Sequence, residues 1–292
     1  MSARNAFSSV KIKQISMRPL TQDDVDAAHS LSVAVGWPHR AADWRAVLAV
    51  GEGLCAQDAV GRLAGTAMWW PMGKKVAAIG MVIVAPHAQG QGLGRRLMHA
   101  VFAAAQRQTL TLNATSAAES LYVSEGFRPI GTIRQYQGIA RPVVLPDAAA
   151  FPERPPTQAD GAAIAALDRA ALGCDRASIL QTLTRDAEGL VHERDGRLMG
   201  FAYCRSFGRG AVIGPVIAAD ETIALALVGP FLSRHGGGFL RADIPEDAPA
   251  LARLLEDGGL FPAGQATTMI RGRKPRPSGR ARVFGLINQG IG

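Results

Sequence analysis

The stretch VAPHAQGQGLGRRLMHA, residues 84–100, puts three glycines and two arginines where an apolar, strand-like run gives way to a helical pattern. Gly90, Gly92 and Gly94 have no Cβ, so successive backbone N–H groups can turn toward one point, through positive φ where needed. The helix that follows brings unpaired N–H donors and a partial positive charge at its first turn. Arg95 and Arg96 set full charges beside them. Such a turn is an anion cradle, suited above all to phosphate. Two better-known phosphate motifs are excluded. G-x-G-x-x-G would need glycine where Arg95 or Leu97 stands, and the lysine of a P-loop is missing.

The elements that must position this turn follow from periodicity and caps. Thr21 with Asp24 three residues later marks a helix start and Gly36 its stop, and ADWRAVLAV (42–50) reads as a second helix. GLCAQDAVGRLAGTAMWWP gives two strands across a turn at Val60-Gly61-Arg62, and KVAAIGMVIVA a third, buried one. Leu93, Leu97, Val101 and Ala104 fall at helical spacing. TLTLNAT is strand-like, AAESLYVSE helical with Gly126 as stop, and RPIGTIRQYQG a last strand. Helices alternating with a mixed sheet predict an α/β or α+β fold.

The same unit is written twice. RPLTQDD from Arg18 returns as RPPTQAD from Arg154, GRLAGTAMWW from Gly61 as GRLMGFAYCR from Gly196, and IGMVIVAP from Ile79 as IGPVIAAD from Ile213. EGFRPIG from Glu125 faces GGLFPAG from Gly258, so the offset drifts only from 136 to 133 in constant order. Between the copies, ARPVVLPDAAAFPERPP carries Pro142, Pro146, Pro152, Pro155 and Pro156, a density that neither a helix nor a central strand accepts. The expected division is residues 1–147 and 148–292.

Composition narrows the classes. No apolar run is long enough for a membrane helix, and the N-terminus MSARNAFSSVKIKQ lacks the apolar core of a secretion signal. Cys55, Cys174 and Cys204 form no C-x-x-C pair, which argues against disulfides and a zinc site. They read as buried strand thiols of a cytoplasmic protein. The net charge of +8 is concentrated in RGRKPRPSGRAR, residues 271–282, which has no interleaved aromatics for base stacking and reads as a solvated connector rather than a nucleic-acid tail.

V-x-P-x-x-Q-x-x-G-x-G, from Val84 through Pro86 and Gln89 to Gly92 and Gly94, resembles the acetyl-CoA-binding signature of the GCN5-related N-acetyltransferases (GNAT). A-x-x-L-Y-x-x-x-G-F, Ala118 to Phe127, is similar to that family's final helix and following strand. The resemblance spans residues 15–138 and reaches the second half through the duplication. It implies two tandem domains, each a mixed, mostly antiparallel twisted sheet flanked by helices. It further implies that Val82, Ile83 and Val84 pair with the pantetheine arm, and that Gln89, Gly90, Gln91, Gly92, Leu93, Gly94 and Arg95 hold the pyrophosphate. Tyr122 would protonate the departing thiolate, which a phenol of pKa about 10 can do for a thiol of about 8.5. Packing at the core edge is the other role open to it.

Two departures stand out. Thr115 occupies a position that is often Asn in the family, with Asn113 out of register, and KVAAIGMVIVA has no carboxylate to act as base. His39, Asp43, Glu52, His87 or a water are the candidates. In the second copy, positions 89–94 map onto Ile223-Ala224-Leu225-Ala226-Leu227-Val228, and Tyr122 onto Leu255. Cradle and acid are lost together, so the second copy is expected to be non-catalytic and to pack on the first. The expected activity is acetyl transfer from acetyl-CoA, without a metal, to a primary amine by direct attack. The acceptor is expected to be a small molecule bound where the copies meet, near Trp37, Trp44, Trp69 and Trp70, with no membrane or nucleic-acid partner. An acyl-CoA-binding sensor without turnover is the alternative. The oligomeric state is left open.

Overall fold

The computed structural model describes residues 15–145 and 153–292. The N-terminal segment, Pro146, Pro152 and the expected 147/148 boundary lie outside the described residues. Packing divides the chain into two units, and the division does not follow the sequence repeat: one unit holds the residues up to Trp70 together with Ile79–Gln106, the other Pro71–Ala78 and Arg107–Gly292.

The first unit begins with β1 (Ser16–Pro19), α1 (Val25–Ala34), α2 (Ala41–Ala49), β2 (Glu52–Gln57) and most of β3 (Leu63–Met72). It continues with the end of β4 (Val76–Val84) and with α3 (Leu93–Ala105). β1 and β3 flank β2, both antiparallel. A capping box starts the first helical segment: the Thr21 N–H donates to Asp24 Oδ2 at 2.9 Å, and Arg18 grips the same carboxylate through both terminal nitrogens at 2.6 and 2.7 Å. The turn at Val60-Gly61-Arg62 is as expected, with Gly61 at φ 84° and Asp58 Oδ1 accepting from the N–H groups of Val60 and Arg62. The apolar face of α3 is Leu93, Leu97, Met98, Val101 and Ala105; Ala104 is exposed, which corrects the expected stripe by one residue.

The second unit contains the β3–β4 hairpin end, β5 (Thr109–Ala114), α4 (Glu119–Ser124) and β6 (Arg128–Ile139) from the first copy. The second copy adds β7 (Glu153–Arg154), α5 (Gly161–Leu172), α6 (Ala177–Leu183), β8 (Glu188–Arg194), β9 (Arg197–Phe207) and β10 (Gly210–Ala218). α7 (Glu221–Arg234), β11 (Phe239–Pro245), α8 (Pro249–Asp257), β12 (Phe261–Arg271) and β13 (Arg282–Gly285) complete it. Its capping box repeats the first in detail: the Thr157 N–H donates to Asp160 Oδ2 at 2.6 Å and Arg154 holds both oxygens at 2.7 and 2.9 Å.

The centre of this unit shows an exchange. β12 runs antiparallel between β5 (Thr267 opposite Ala114) and β6, and β6 runs antiparallel to β11 (Arg134 opposite Ile244). By the repeat, β11 is the counterpart of β5 and β12 of β6. Each copy's fifth strand is therefore flanked by the sixth strand of the other copy. The two ladders are related by one register: Arg134 maps to Thr267, and the parallel pairings Ala77–Leu110 and Ala211–Leu240 make Leu240 the equivalent of Leu110 and so Ile244 of Ala114. Each fifth strand also pairs in parallel with its own fourth, Val76–Ala78 with Thr109–Thr111 and Ala211–Ile213 with Leu240–Ala242. The sheet is mixed and mostly antiparallel, as expected.

Candidate functional site

β4 is a buried strand with one irregularity. Met81 has φ 50°, in the left-handed region that costs a non-glycine residue about 1–2 kcal/mol. The buried Thr66 hydroxyl donates to the Met81 carbonyl at 2.8 Å and holds the backbone there. The residue at positive φ is not itself a glycine. Its only trace is Gly80-Met81 facing Gly214-Pro215 in the second copy, where the ladder of β10 shifts register between Ile213 and Val216. Beyond Met81, Ile83 is buried while Val82 and Val84 are half-buried.

The turn leaving β4 is built as a cradle. Pro86–Ala88 forms one short 3-10 turn, and Gly90 (φ 72°) and Gly92 (φ 79°) take the left-handed conformation that leads into α3, with Gly92 at its N-cap. Gly94 lies inside the first turn of the helix. Among the described residues none accepts from the backbone N–H groups of Gly90, Gln91, Gly92, Leu93 or Gly94; the first helical bond in this region is Arg96 N–H to Gly92 O, at 3.1 Å. Five consecutive donors at a helix start are what an anion needs. The side chains of the glutamines do something else. Gln89 Nε2 donates back to Val84 O at 3.0 Å and Gln91 Nε2 to His87 O at 3.3 Å, so both brace the turn from within. Arg95 is exposed, whereas Arg96 donates to Ile15 O at 3.2 Å and ties down the chain ahead of β1. The charge expected of Arg96 at the cradle is committed there instead.

Tyr122 is carried by α4 in the second unit and is 6% exposed. Its ring meets Phe127 edge-on at 5.9 Å, and burial pushes the phenol up to about 12, so it holds its proton throughout the physiological range. Gly126, at φ 84°, ends the helix as expected.

The candidate bases separate clearly. Asp43 is 3% exposed and forms a second capping box, accepting from the Arg40 N–H at 2.8 Å and from its guanidinium at 2.7 Å; it is a structural ion pair, not a base. The three-residue Arg40–Asp43 spacing at the start of ADWRAVLAV is the signal for that role. His39 sits with its ring 5.5 Å from Trp37, and Glu52 and His87 are exposed. Trp44 and Trp70 are fully buried, with their N–H groups donated to Ser32 Oγ (3.2 Å) and Val47 O (2.9 Å). They, and the buried Trp69, are core; only Trp37 is half-exposed.

The second copy's equivalent turn overturns the gap-free mapping of 89–94 onto 223–228. Between β10 and α7 lie only residues 219–220, against 85–92 between β4 and α3. All of these positions lie within α7, Ile223 and Ala224 buried in its first turn and Leu227 and Val228 buried further along, so none of them forms the turn itself. The cradle was deleted rather than overwritten. Asp220 caps the helix itself, its Oδ1 accepting from Ile223 N at 2.9 Å, and puts a carboxylate where an anion would sit. Leu255, the counterpart of Tyr122, is fully buried in the core of this unit.

A cavity of about 1020 Å³ lies within the second unit, lined by residues of both copies: the β3–β4 hairpin end, β5, β6, the end of α5, β12, the segment 274–282 and the C-terminal residues. The basic stretch is therefore not a free connector. Thr109 Oγ1 donates to Arg273 O at 2.9 Å and the Ser278 N–H to Ala170 O at 2.8 Å, fixing it as a strap. Cys174 lines the cavity, half-buried and outside any strand, while Cys55 and Cys204 are the expected buried strand thiols. Among the described residues no cluster of His, Cys, Asp or Glu could hold a metal, and no helix is long and apolar enough to cross a membrane.

Two family profiles, both described as "Acetyltransferase (GNAT) domain", match residues 38–141 and 164–285. The chain is 28% identical over 226 residues to YitH, an uncharacterized N-acetyltransferase of Bacillus subtilis, covering 75% of this chain and 77% of that one. A candidate acetyltransferase from Pyrococcus horikoshii shares the fold over 98% of both chains, with a TM-score of 0.81 at 19% identity. A tandem GNAT protein from the clavulanic acid biosynthesis pathway matches over 90% of this chain and 99% of its own, with a TM-score of 0.61 at 17% identity. With both copies matched in the same family and the β4–α3 turn shaped as its signature requires, the chain belongs to the GNAT acetyltransferases as a tandem member.

Proposed function

We propose that this acetyltransferase moves an acetyl group from acetyl-CoA to the primary amine of a small molecule in the cytoplasm, using the first copy's cradle alone. The observation that carries the reading is the set of five backbone N–H donors, Gly90 to Gly94, without an acceptor among the described residues. These donors fit a diphosphate, and Arg95 adds a positive charge at the exposed start of α3. Acetyl-CoA supplies the activated thioester and the thiol leaving group.

The chain's own residues bind, orient and supply a proton. The backbone of Val82, Ile83 and Val84 offers strand edges to an extended amide-containing arm, with Val84 O already engaged by Gln89. Tyr122 is the proton donor: its raised pKa keeps it protonated at neutral pH, so the proton is in place when the thiolate leaves. β4 has no carboxylate and Asp43 is consumed by Arg40, so the amine loses its proton to water or to an exposed group such as Glu52 or His87. Catalysis then rests mainly on orientation. The cavity lined by both copies supports a small acceptor, since sites of this kind favour concave, largely apolar surroundings.

One observation favours the alternative of a sensor without turnover: Tyr122 is packed against Phe127 like a core residue. An amine panel assayed for CoA thiol release decides between them. Turnover should appear with at least one small amine, and Tyr122→Phe should lower kcat by about 10²–10⁴-fold while leaving acetyl-CoA affinity unchanged. Acetyl-CoA binding with no turnover on any amine would support the sensor.

A further inference from the structure

The cavity of the second unit has a chemistry of its own. Its walls include the buried aliphatic side chains of Val76, Ala78, Ile133 and Ile270. The polar groups among them are already satisfied internally: Thr268 Oγ1 donates to Asn113 Oδ1 at 2.7 Å, Asn113 Nδ2 to Gln289 O at 2.9 Å, and Thr111 Oγ1 to Met269 O at 3.3 Å. Cys174 Sγ lies 3.8 Å from Met72 Sδ, and burial raises the thiol to about 11, so it is neutral. An entering molecule therefore meets an apolar surface.

The rim is charged and unbalanced. Of its side-chain carboxylates, Glu246 is paired with Arg134 and Asp247 lies 3.7 Å from Arg282, while the backbone oxygen of Gly292, also on the lining, accepts from Arg176. Lys274 and Arg280, also on the rim, have no hydrogen bond or ion pair among the described residues. Both are carried by the strap that Thr109 and Ser278 anchor, which holds two uncompensated cations at the mouth of an apolar cavity.

We propose that this cavity binds a small amphipathic acid, with its apolar body on the walls and its carboxylate at Lys274 and Arg280. If the molecule is also the acetyl acceptor, which rests on the acetyltransferase reading, it carries the amine as well and belongs to the class of apolar amino acids and amino-aryl acids.

Cys174 provides a readout independent of catalysis, because it lines the cavity while Cys55 and Cys204 are buried in strands and serve as internal controls. Iodoacetamide labelling of the full chain, followed by peptide mass, is run with 4-phenylbutyrate, 4-phenylbutan-1-ol and 4-phenylbutylamine. The carboxylate should slow Cys174 labelling by ~5-fold more than the alcohol or the amine, the size of one partly screened ion pair. The double variant Lys274→Glu/Arg280→Glu should erase that advantage and leave the alcohol's effect intact. Equal protection by all three probes, no protection by the carboxylate, or an advantage that survives the double variant would overturn the proposal. Acetyl-CoA calorimetry on the same samples separates the two readings: failed protection with intact acetyl-CoA binding sinks this one alone.

Discussion

Two turns in this molecule leave equivalent strands for equivalent helices, and only one is fit to bind an anion. From β4 to α3 the chain takes residues 85–92, with two glycines at positive φ and five N–H groups open. From β10 to α7 it takes residues 219–220, and Asp220 caps the helix with its own carboxylate. The strand, the helix and the capping box upstream are otherwise kept in both copies. An anion site at a helix start can thus be removed by shortening the turn and supplying an internal carboxylate, while the fold around it persists. The same contrast runs through the fourth helices, where a buried phenol in one copy faces a buried leucine in the other.

That contrast can be broken or sharpened by substitution. The largest effect on stability should come from Leu255→Ala, which empties a fully buried site in the second unit's core. A loss of about 2–5 kcal/mol in urea unfolding is expected, with acetyl-CoA affinity of the folded protein unchanged. A change in that affinity would mean that the second copy's fourth helix does more than pack.

Asp220→Ala should cost about 1 kcal/mol, the usual worth of an N-cap, and should create no second acetyl-CoA site. If binding stoichiometry doubled, the carboxylate alone would have been masking a working cradle.

The smallest effect concerns the paired capping boxes. Arg18 and the Thr21 amide hold Asp24 down to about 2, and Arg154 with Thr157 holds Asp160 below the ordinary carboxylate range as well. A depressed carboxylate stabilises the fold above its unfolded pKa of about 4, and that contribution fades as pH falls through the folded value. Asp24→Asn should therefore lower Tm at pH 7 and make little difference near pH 2, with no dependence between pH 6 and 9. An equal loss at both extremes would show that the carboxylate's charge is not what matters.

Much of this was legible in the sequence because it is local. The cradle, the Thr21–Asp24 box, the turn at Gly61 and the repeat itself are short-range patterns that the backbone must obey. The shortened turn was not legible, because IGPVIAAD matches IGMVIVAP up to the turn and GGLFPAG restores the register afterwards, hiding a compensated gap. The strand exchange was not legible for a different reason. Repetition says that β12 is equivalent to β6, but not whose fifth strand it pairs with, and that choice depends on contacts far apart in the chain. Trp44 and Trp70 misled because an aromatic near a site and an aromatic in a core are the same residue until burial is known. Met81 left no trace in its own residue type, since positive φ is written in glycine far more often than in methionine.

The central claim is that one copy binds and the other does not, and calorimetric titration of the full chain with acetyl-CoA tests it most directly. One site per chain is predicted, and it should be lost in Gly92→Glu, which places bulk and negative charge at a left-handed N-cap. Two sites per chain, or one site that survives Gly92→Glu, would contradict it.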